Sequence, residues 1–141
     1  MEQWERSWQQ ICAMKKEDYI LGNIQLVKDE ILSSDEPIAD HFRMQVIDNG
    51  RTLNAESLSE ERISISPNEN VGGAGGFARG MVEALDRGEA THILLMDDDV
   101  AVSPESIKRT FNLLRMVNDE YKEAFVSGAM LNYDFGEEQW E

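Results

Sequence analysis

A chain of 141 residues, 41% hydrophobic and 29% charged, is long enough to bury a core and has the make-up of a globular domain. Its 28 acidic against 13 basic residues give a net charge of -15, which repels phosphate backbones and argues against a nucleic-acid partner. No apolar run approaches the roughly 18 residues of a transmembrane helix, no signal peptide is expected, and the single cysteine, Cys12, permits no internal disulfide, in keeping with a reducing, cytoplasmic setting.

In chain order, "SWQQICAM" is the first strand candidate. Ile20, Ile24, Val27 and Ile31 then recur at spacings of four, three and four, one face of a helix that Asp35-Glu36-Pro37 ends. In "HFRMQVIDNG", Phe42, Met44 and Val46 alternate on one face of a strand, and Asp48-Asn49-Gly50 make a turn. "RISIS", residues 62–66, is another strand, stopped by Pro67. "NENVGGAGGFARGMVEAL" begins as a glycine-rich loop and ends as a helix with Phe77, Met81 and Leu85 as its apolar stripe. "THILLM" has the composition of a buried strand. Ser103-Pro104-Glu105 supplies an N-cap, a first-turn proline and a first-turn acid to a helix that buries Ile107, Phe111 and Leu114. "AFVSGAML" reads as a last strand. The order β-α-β-β-α-β-α-β predicts an α/β fold with helices between mostly parallel strands. Ligands then belong at the carboxyl ends of the strands, where Asp48 and Asp97 fall.

Three aspartates, Asp97, Asp98 and Asp99, follow the strand "THILLM" directly. Their mutual repulsion calls for a cation. In an extended segment alternate side chains share a face, so Asp97 and Asp99 are expected to point together and Asp98 away. Two such carboxylates suit Mg²⁺ or Mn²⁺, which keeps waters and completes its shell from a substrate's phosphates. The plainer reading is a solvated acidic turn before a helix. Gly72, Gly73, Gly75 and Gly76 permit close backbone approach, and the helix start they lead into favours anions. Gly73, Gly75 and Ala78 match G-x-G-x-x-A, although the loop from Pro67 to Val71 is longer than that motif's tight turn. The plainer reading here is a turn of small residues that serves helix packing. Asp48 is either a site acid or an Asx-turn residue. Arg79 is placed to reach a nucleotide or to pair with one of the many acids. His41 and His92 read as structural, Cys12 lacks the partners of a nucleophile, and Trp4, Trp8 and Trp140 suggest docked ends.

Taken in order, "VIDNG", "NVGGAGGFARGM", "HILLMDDDV" and "FVSGAML" resemble the family 2 glycosyltransferases of the GT-A fold, in the bacterial galactofuranosyltransferase and rhamnosyltransferase-like branch, over roughly residues 10 to 135. The resemblance implies a Rossmann-like three-layer sandwich with a mostly parallel sheet, truncated, in which residues 1–141 are the nucleotide-sugar-binding half of a catalytic domain. It implies that Asp97 and Asp99 hold Mn²⁺ or Mg²⁺ against the diphosphate of a UDP- or dTDP-linked sugar. It implies further that Asp48 contacts the base and that Asn70, Gly72, Gly73, Arg79 and Asp97 line the nucleotide site. The parent enzyme would invert the sugar centre and move galactofuranose or rhamnose onto a glycan or lipid-linked acceptor. It would serve cell-wall or polysaccharide biosynthesis and lie peripherally at the inner face of the membrane. The sheet edge left exposed by truncation is expected to favour self-association into a homo-oligomer.

Two departures accompany the likeness. The family's first strand ends in a threonine, an aromatic residue and a basic pair, where this chain has Ala13, Met14, Lys15 and Lys16. The family's general base lies far downstream of the aspartates, and none of the 42 residues from 100 to 141 fits it, so no catalytic residue is assigned and the chain alone is expected to be inactive. Two other readings remain open. One is a Mg²⁺-dependent phosphotransferase of the haloacid-dehalogenase or receiver type, which also uses strand-end aspartates. The other is a nucleotide-binding module without catalysis.

Overall fold

The computed structural model describes residues 7–13, 17–101, 103–121, 123–129 and 131. Two compact units are present, Met1–Pro104 and Glu105–Glu141. The first contains β1 (Ser7–Ala13), α1 (Glu17–Val27) running on into a π-helical turn (Lys28–Leu32), α2 (Ile38–His41), β2 (Phe42–Asp48), α3 (Ala55–Leu58), β3 (Ile63–Pro67), α4 (Gly72–Arg87) and β4 (Ala90–Asp97). From Pro104 onward come α5 (Pro104–Met116) and a 3₁₀ turn (Asp119–Tyr121). Among the described residues, no helix is long and apolar enough to cross a membrane.

Among the described residues the sheet has four parallel strands in the order β3-β2-β1-β4. The chain steps outward from β1 through β2 to β3, then returns to the far side of β1. Parallel crossovers are right-handed, so the returning helix α4 belongs on the opposite face from α1. It packs on β1, β2 and β4. This is the mixed α/β architecture with a parallel sheet that the sequence predicts. Pro67, which has no amide to donate, ends the edge strand β3 without breaking an interior ladder.

The core differs from the expectation in three ways. Strand β2 is buried on both faces: Phe42, Val46 and Ile47 expose none of their surface, and Gln45 is equally hidden. Covered on both sides, β2 is not the half-buried strand that Phe42, Met44 and Val46 suggested. Strand β4 is the less buried one, with Leu95 47% exposed, because β1 is its neighbour on one side and it forms the other edge of the described sheet. In α4 the buried residues are Gly76, Gly80 and Ala84, not Phe77, Met81 and Leu85, and Leu85 is 71% exposed. Small residues four apart bring the helix backbone close to the sheet, which leaves larger side chains beside the contact or outside it.

One predicted strand does not form among the described residues. Residues 124–129 of "AFVSGAML" form no regular structure, and Leu131 takes part in an isolated bridge. Phe125 is fully exposed and Val126 and Leu131 are about half exposed. Apolar composition favours a strand, but a strand forms only against a partner ladder. The other elements follow their sequence signals. Ile20, Ile24, Val27 and Ile31 are all buried, and α5 starts at Pro104 and buries Ile107, Phe111 and Leu114. Met14 to Lys16, Trp4 and Trp140 lie outside the described residues, as do the side chains of Trp8 and Cys12.

Burial of β2 on both faces has a direct test. Ile47→Ala should destabilise the fold by about 2–5 kcal/mol in urea unfolding, the range for a core isoleucine. A change within about 0.5 kcal/mol, as at a solvent-facing position, would place that face of β2 in water.

Candidate functional site

Parallel pairing brings the carboxyl ends of the strands to one edge. Ala13 of β1 is in register with Ile47 of β2 and with Asp97 of β4, and Asp48 pairs with Pro67 one step further on. Asp97 and Asp48 therefore flank the end of β1, two strand spacings apart, or about 10 Å. Between β1 and β4 the chain's crossovers leave in opposite directions. In open α/β sheets that switch point opens the crevice in which ligands bind. The start of α4 follows β3 through Asn68–Val71 and lies on the same edge.

Asp48 is fully buried and its carboxylate serves the turn that follows. Oδ1 accepts from the Gly50 amide at 3.0 Å and Oδ2 from the Leu53 amide at 2.8 Å. Its backbone carbonyl accepts from the amides of Asn68 at 2.9 Å and Arg51 at 3.3 Å. Arg51 sits at a φ of 53°, left-handed backbone that costs a non-glycine residue about 1 kcal/mol or more. Its Nε donates to the Asn68 carbonyl at 3.0 Å, which holds it there. Asp48 thus makes the Asx turn and, in addition, ties the β2 end to the β3 end.

Arg79 lies at the centre of a second set of bonds. Its Nη1 donates to the Pro67 carbonyl at 2.7 Å and to Asn68 Oδ1 at 2.8 Å, and its Nε to Glu83 Oε1 at 2.7 Å. The other Glu83 oxygen accepts from the Gln45 amide and, at 3.2 Å, from the Ser66 hydroxyl. Asn68 Nδ2 donates to Asn49 Oδ1 at 2.7 Å, and Asn49 Nδ2 donates to the Gly72 carbonyl at 3.1 Å. A continuous polar strut thereby joins β2, the end of β3 and the first turn of α4. Asn68, Gln45 and Glu83 were assigned no role from the sequence, and Asn49 only that of a turn residue. The sequence signal for the network was the spacing of four between Arg79 and Glu83 on a helix.

The glycine-rich segment is helical from Gly72 onward, so the loop is Asn68–Val71 and the glycines form the first turns of α4. Gly72 has a φ of 80°, which only glycine adopts freely. Asn70 is exposed, and its Oδ1 accepts from the Gly72 amide at 3.4 Å. A Cβ at Gly73 would meet open space, whereas one at Gly75 would lie 2.4 Å from Val71 Cγ2. Gly75 therefore serves packing against Val71, while Gly72 and Gly73 leave an accessible backbone surface.

Strand β4 ends at Asp97, and Asp98 and Asp99 form a turn. The ladder with β1 stops at Ala13 and Asp97, so the backbone turns at Asp98 and Asp99 where an extended segment was expected. Asp97 and Asp99 are exposed and Asp98 is half-buried. Directly beyond them, the Val100 carbonyl accepts from Asn23 Nδ2 at 2.9 Å. Among the described residues, no three His, Cys, Asp or Glu side chains group as a metal cage. His92 Nδ1 lies 3.0 Å from its neighbour's hydroxyl, Thr91 Oγ1.

Residues 51–131 match the family described as "Glycosyltransferase like family 2". The chain is similar to the galactofuranosyltransferase GlfT2 of Mycolicibacterium smegmatis, 34% identical over 104 residues, which cover 74% of this chain and 16% of that protein. It is likewise similar to the galactofuranosyltransferase GlfT2 of Mycobacterium tuberculosis, 41% identical over 95 residues, covering 67% of this chain and 14% of that protein. The aligned part is thus a small share of either relative's length.

The polar strut makes a quantitative expectation. Arg79→Ala and Glu83→Ala, alone and together, should show a coupling of about 0.5–3 kcal/mol in a double-mutant cycle, because both residues share partners on β2 and β3. Additive effects would reduce the pair to a helix-surface salt bridge.

Proposed function

This chain belongs to the glycosyltransferase-like family 2, and from that premise we propose that it is the donor-binding half of a metal-dependent, inverting glycosyltransferase. The observation that carries the reading is the position of the exposed Asp97 at the switch point between β1 and β4, on the same edge as the open first turn of α4. A protein of net charge -15 has few means of holding a diphosphate, and these two features are of the kind that can.

The donor set fits Mg²⁺ or Mn²⁺. Asp97 and Asp99 are exposed hard carboxylates, which suit an ion that takes much of its shell from water and phosphate. Bound there, such an ion supplies positive charge that offsets the charge developing on a departing diphosphate. The chain's own residues bind and orient. Gly72 and Gly73 admit phosphate oxygens close to backbone amides, and Asn70 borders that surface. Asp48 and Arg79 belong to the site as the residues that fix its walls, through the turn after β2 and the loop after β3. The acceptor hydroxyl would attack the sugar from the side opposite the diphosphate, its proton taken by a carboxylate from another part of a longer protein. The relatives' names point to galactofuranose as the sugar; in this reading it is carried on a nucleoside diphosphate, uridine diphosphate being the probe of choice, and passes to a glycan or lipid-linked acceptor.

Calorimetric titration with uridine diphosphate tests this. Binding should require Mn²⁺ or Mg²⁺, and Asp97→Ala or Asp99→Ala should weaken it tenfold or more, about 1.4 kcal/mol, with Asp98→Ala costing less. Equal affinity in a chelator, or a loss confined to Asp98→Ala, would contradict the assignment. Gly73→Val should lower nucleotide affinity while leaving Tm nearly unchanged, since its side chain would enter open space. A fall in Tm with unaltered affinity would make Gly73 a packing residue.

A further inference from the structure

Asn23 belongs to no motif and lies in α1, on the buried stripe with Ile20, Ile24 and Val27. It is 5% exposed, and its Nδ2 donates to the Val100 carbonyl at 2.9 Å across 77 residues of sequence. Val100 is the residue directly after the three aspartates. Burying a side-chain amide is unfavourable unless its hydrogen bonds are made. An apolar residue would fill this stripe without that cost, and the bond to Val100 is one use of the amide that packing does not explain.

The turn after β4 has a need that matches. Its three carboxylates repel one another, and the ladder with β1 releases the chain at Asp97. Asp98 and Asp99 lie beyond that last pairing. Each added tie on such a segment limits how far its charges can spread, and so lowers the chain entropy that a cation must remove to gather them. Tying the carbonyl of Val100 to a helix fixes the other end. With Asp97 held by the sheet and Val100 held by α1, the segment between has little freedom left.

We propose that Asn23 is a positioning residue for the divalent-cation site. It touches neither ion nor nucleotide and acts through the Val100 carbonyl on the aspartate turn. This rests on the metal reading given above. Residues that orient a ligand from outside the coordination shell typically change metal affinity by about 10–100-fold.

The test uses the full chain without nucleotide. Mn²⁺ binding is followed by electron paramagnetic resonance of the free ion, with Asp97→Ala marking how much of it belongs to the turn. Amide hydrogen exchange at Asp98 to Val100 is measured in the metal-free protein. Asn23→Leu removes the donor and keeps the volume; Asn23→Ser serves if the leucine variant fails to fold. Ile24→Val lowers stability from the same helix without touching the turn. The Asn23 variants should lose about tenfold or more in Asp97-dependent Mn²⁺ affinity and exchange faster at the turn. Ile24→Val should lower Tm and change neither quantity. Unchanged Mn²⁺ affinity in the Asn23 variants, or an equal loss in Ile24→Val, overturns the positioning role and leaves the metal reading standing. A parent chain without Asp97-dependent Mn²⁺ binding overturns both.

Discussion

Parallel pairing is the constraint from which the rest follows. Once β3, β2, β1 and β4 all run the same way, every segment that leaves a strand must begin on the same edge. That edge collects the Asp48 turn, the Asn68–Val71 loop with the start of α4, and the aspartate turn. They are far apart in sequence and neighbours in space. The return of the chain from β3 to the far side of β1 then opens the sheet's crevice beside Asp97. The candidate site is thus a consequence of topology first and of side-chain chemistry second.

Such an edge needs rigid walls, because loops left to themselves relax. Two polar devices supply them. Asp48 spends both carboxylate oxygens on backbone amides of its own turn. The Gln45–Glu83–Arg79–Asn68–Asn49 strut ties β2, β3 and α4 together, with every member in a hydrogen bond. Partly buried networks of this kind stabilise only when their groups are satisfied. The close approach of α4 through Gly76, Gly80 and Ala84 complements them, because it brings Arg79 and Glu83 within reach of β2 and β3. Acidic residues outnumber basic ones by 28 to 13, yet the acids in these devices are fixed by hydrogen bonds and not merely solvated.

Much of this was legible in the sequence, for identifiable reasons. The strands and the stripe of α1 were visible because β-branched alternation and the spacing of Ile20, Ile24, Val27 and Ile31 are local signals. The strand-end positions of Asp48 and Asp97 followed from them. The buried face of α4 was misread because glycine and alanine carry no hydrophobic signal, although close packing selects them. "AFVSGAML" was misread because a strand depends on a partner that composition does not report. The turn at Asp98 and Asp99 was not foreseen because the strand's end was set by its register with Ala13, a non-local fact. Asn49, Asn68 and Asn23 looked like ordinary polar residues, and only the distances between segments gave them roles.

The central claim is that the switch-point edge binds a cation together with a donor diphosphate. Paramagnetic broadening of backbone amide signals by Mn²⁺ in the presence of uridine diphosphate tests it most directly, because it locates the ion without reference to activity. The account predicts broadening centred on Asp97 to Val100 and extending to the end of β1 and the first turn of α4, and its loss from that edge in Asp97→Ala. Broadening scattered over the acidic surface, or centred on the amino ends of the strands near Arg43 and Arg62, would contradict it.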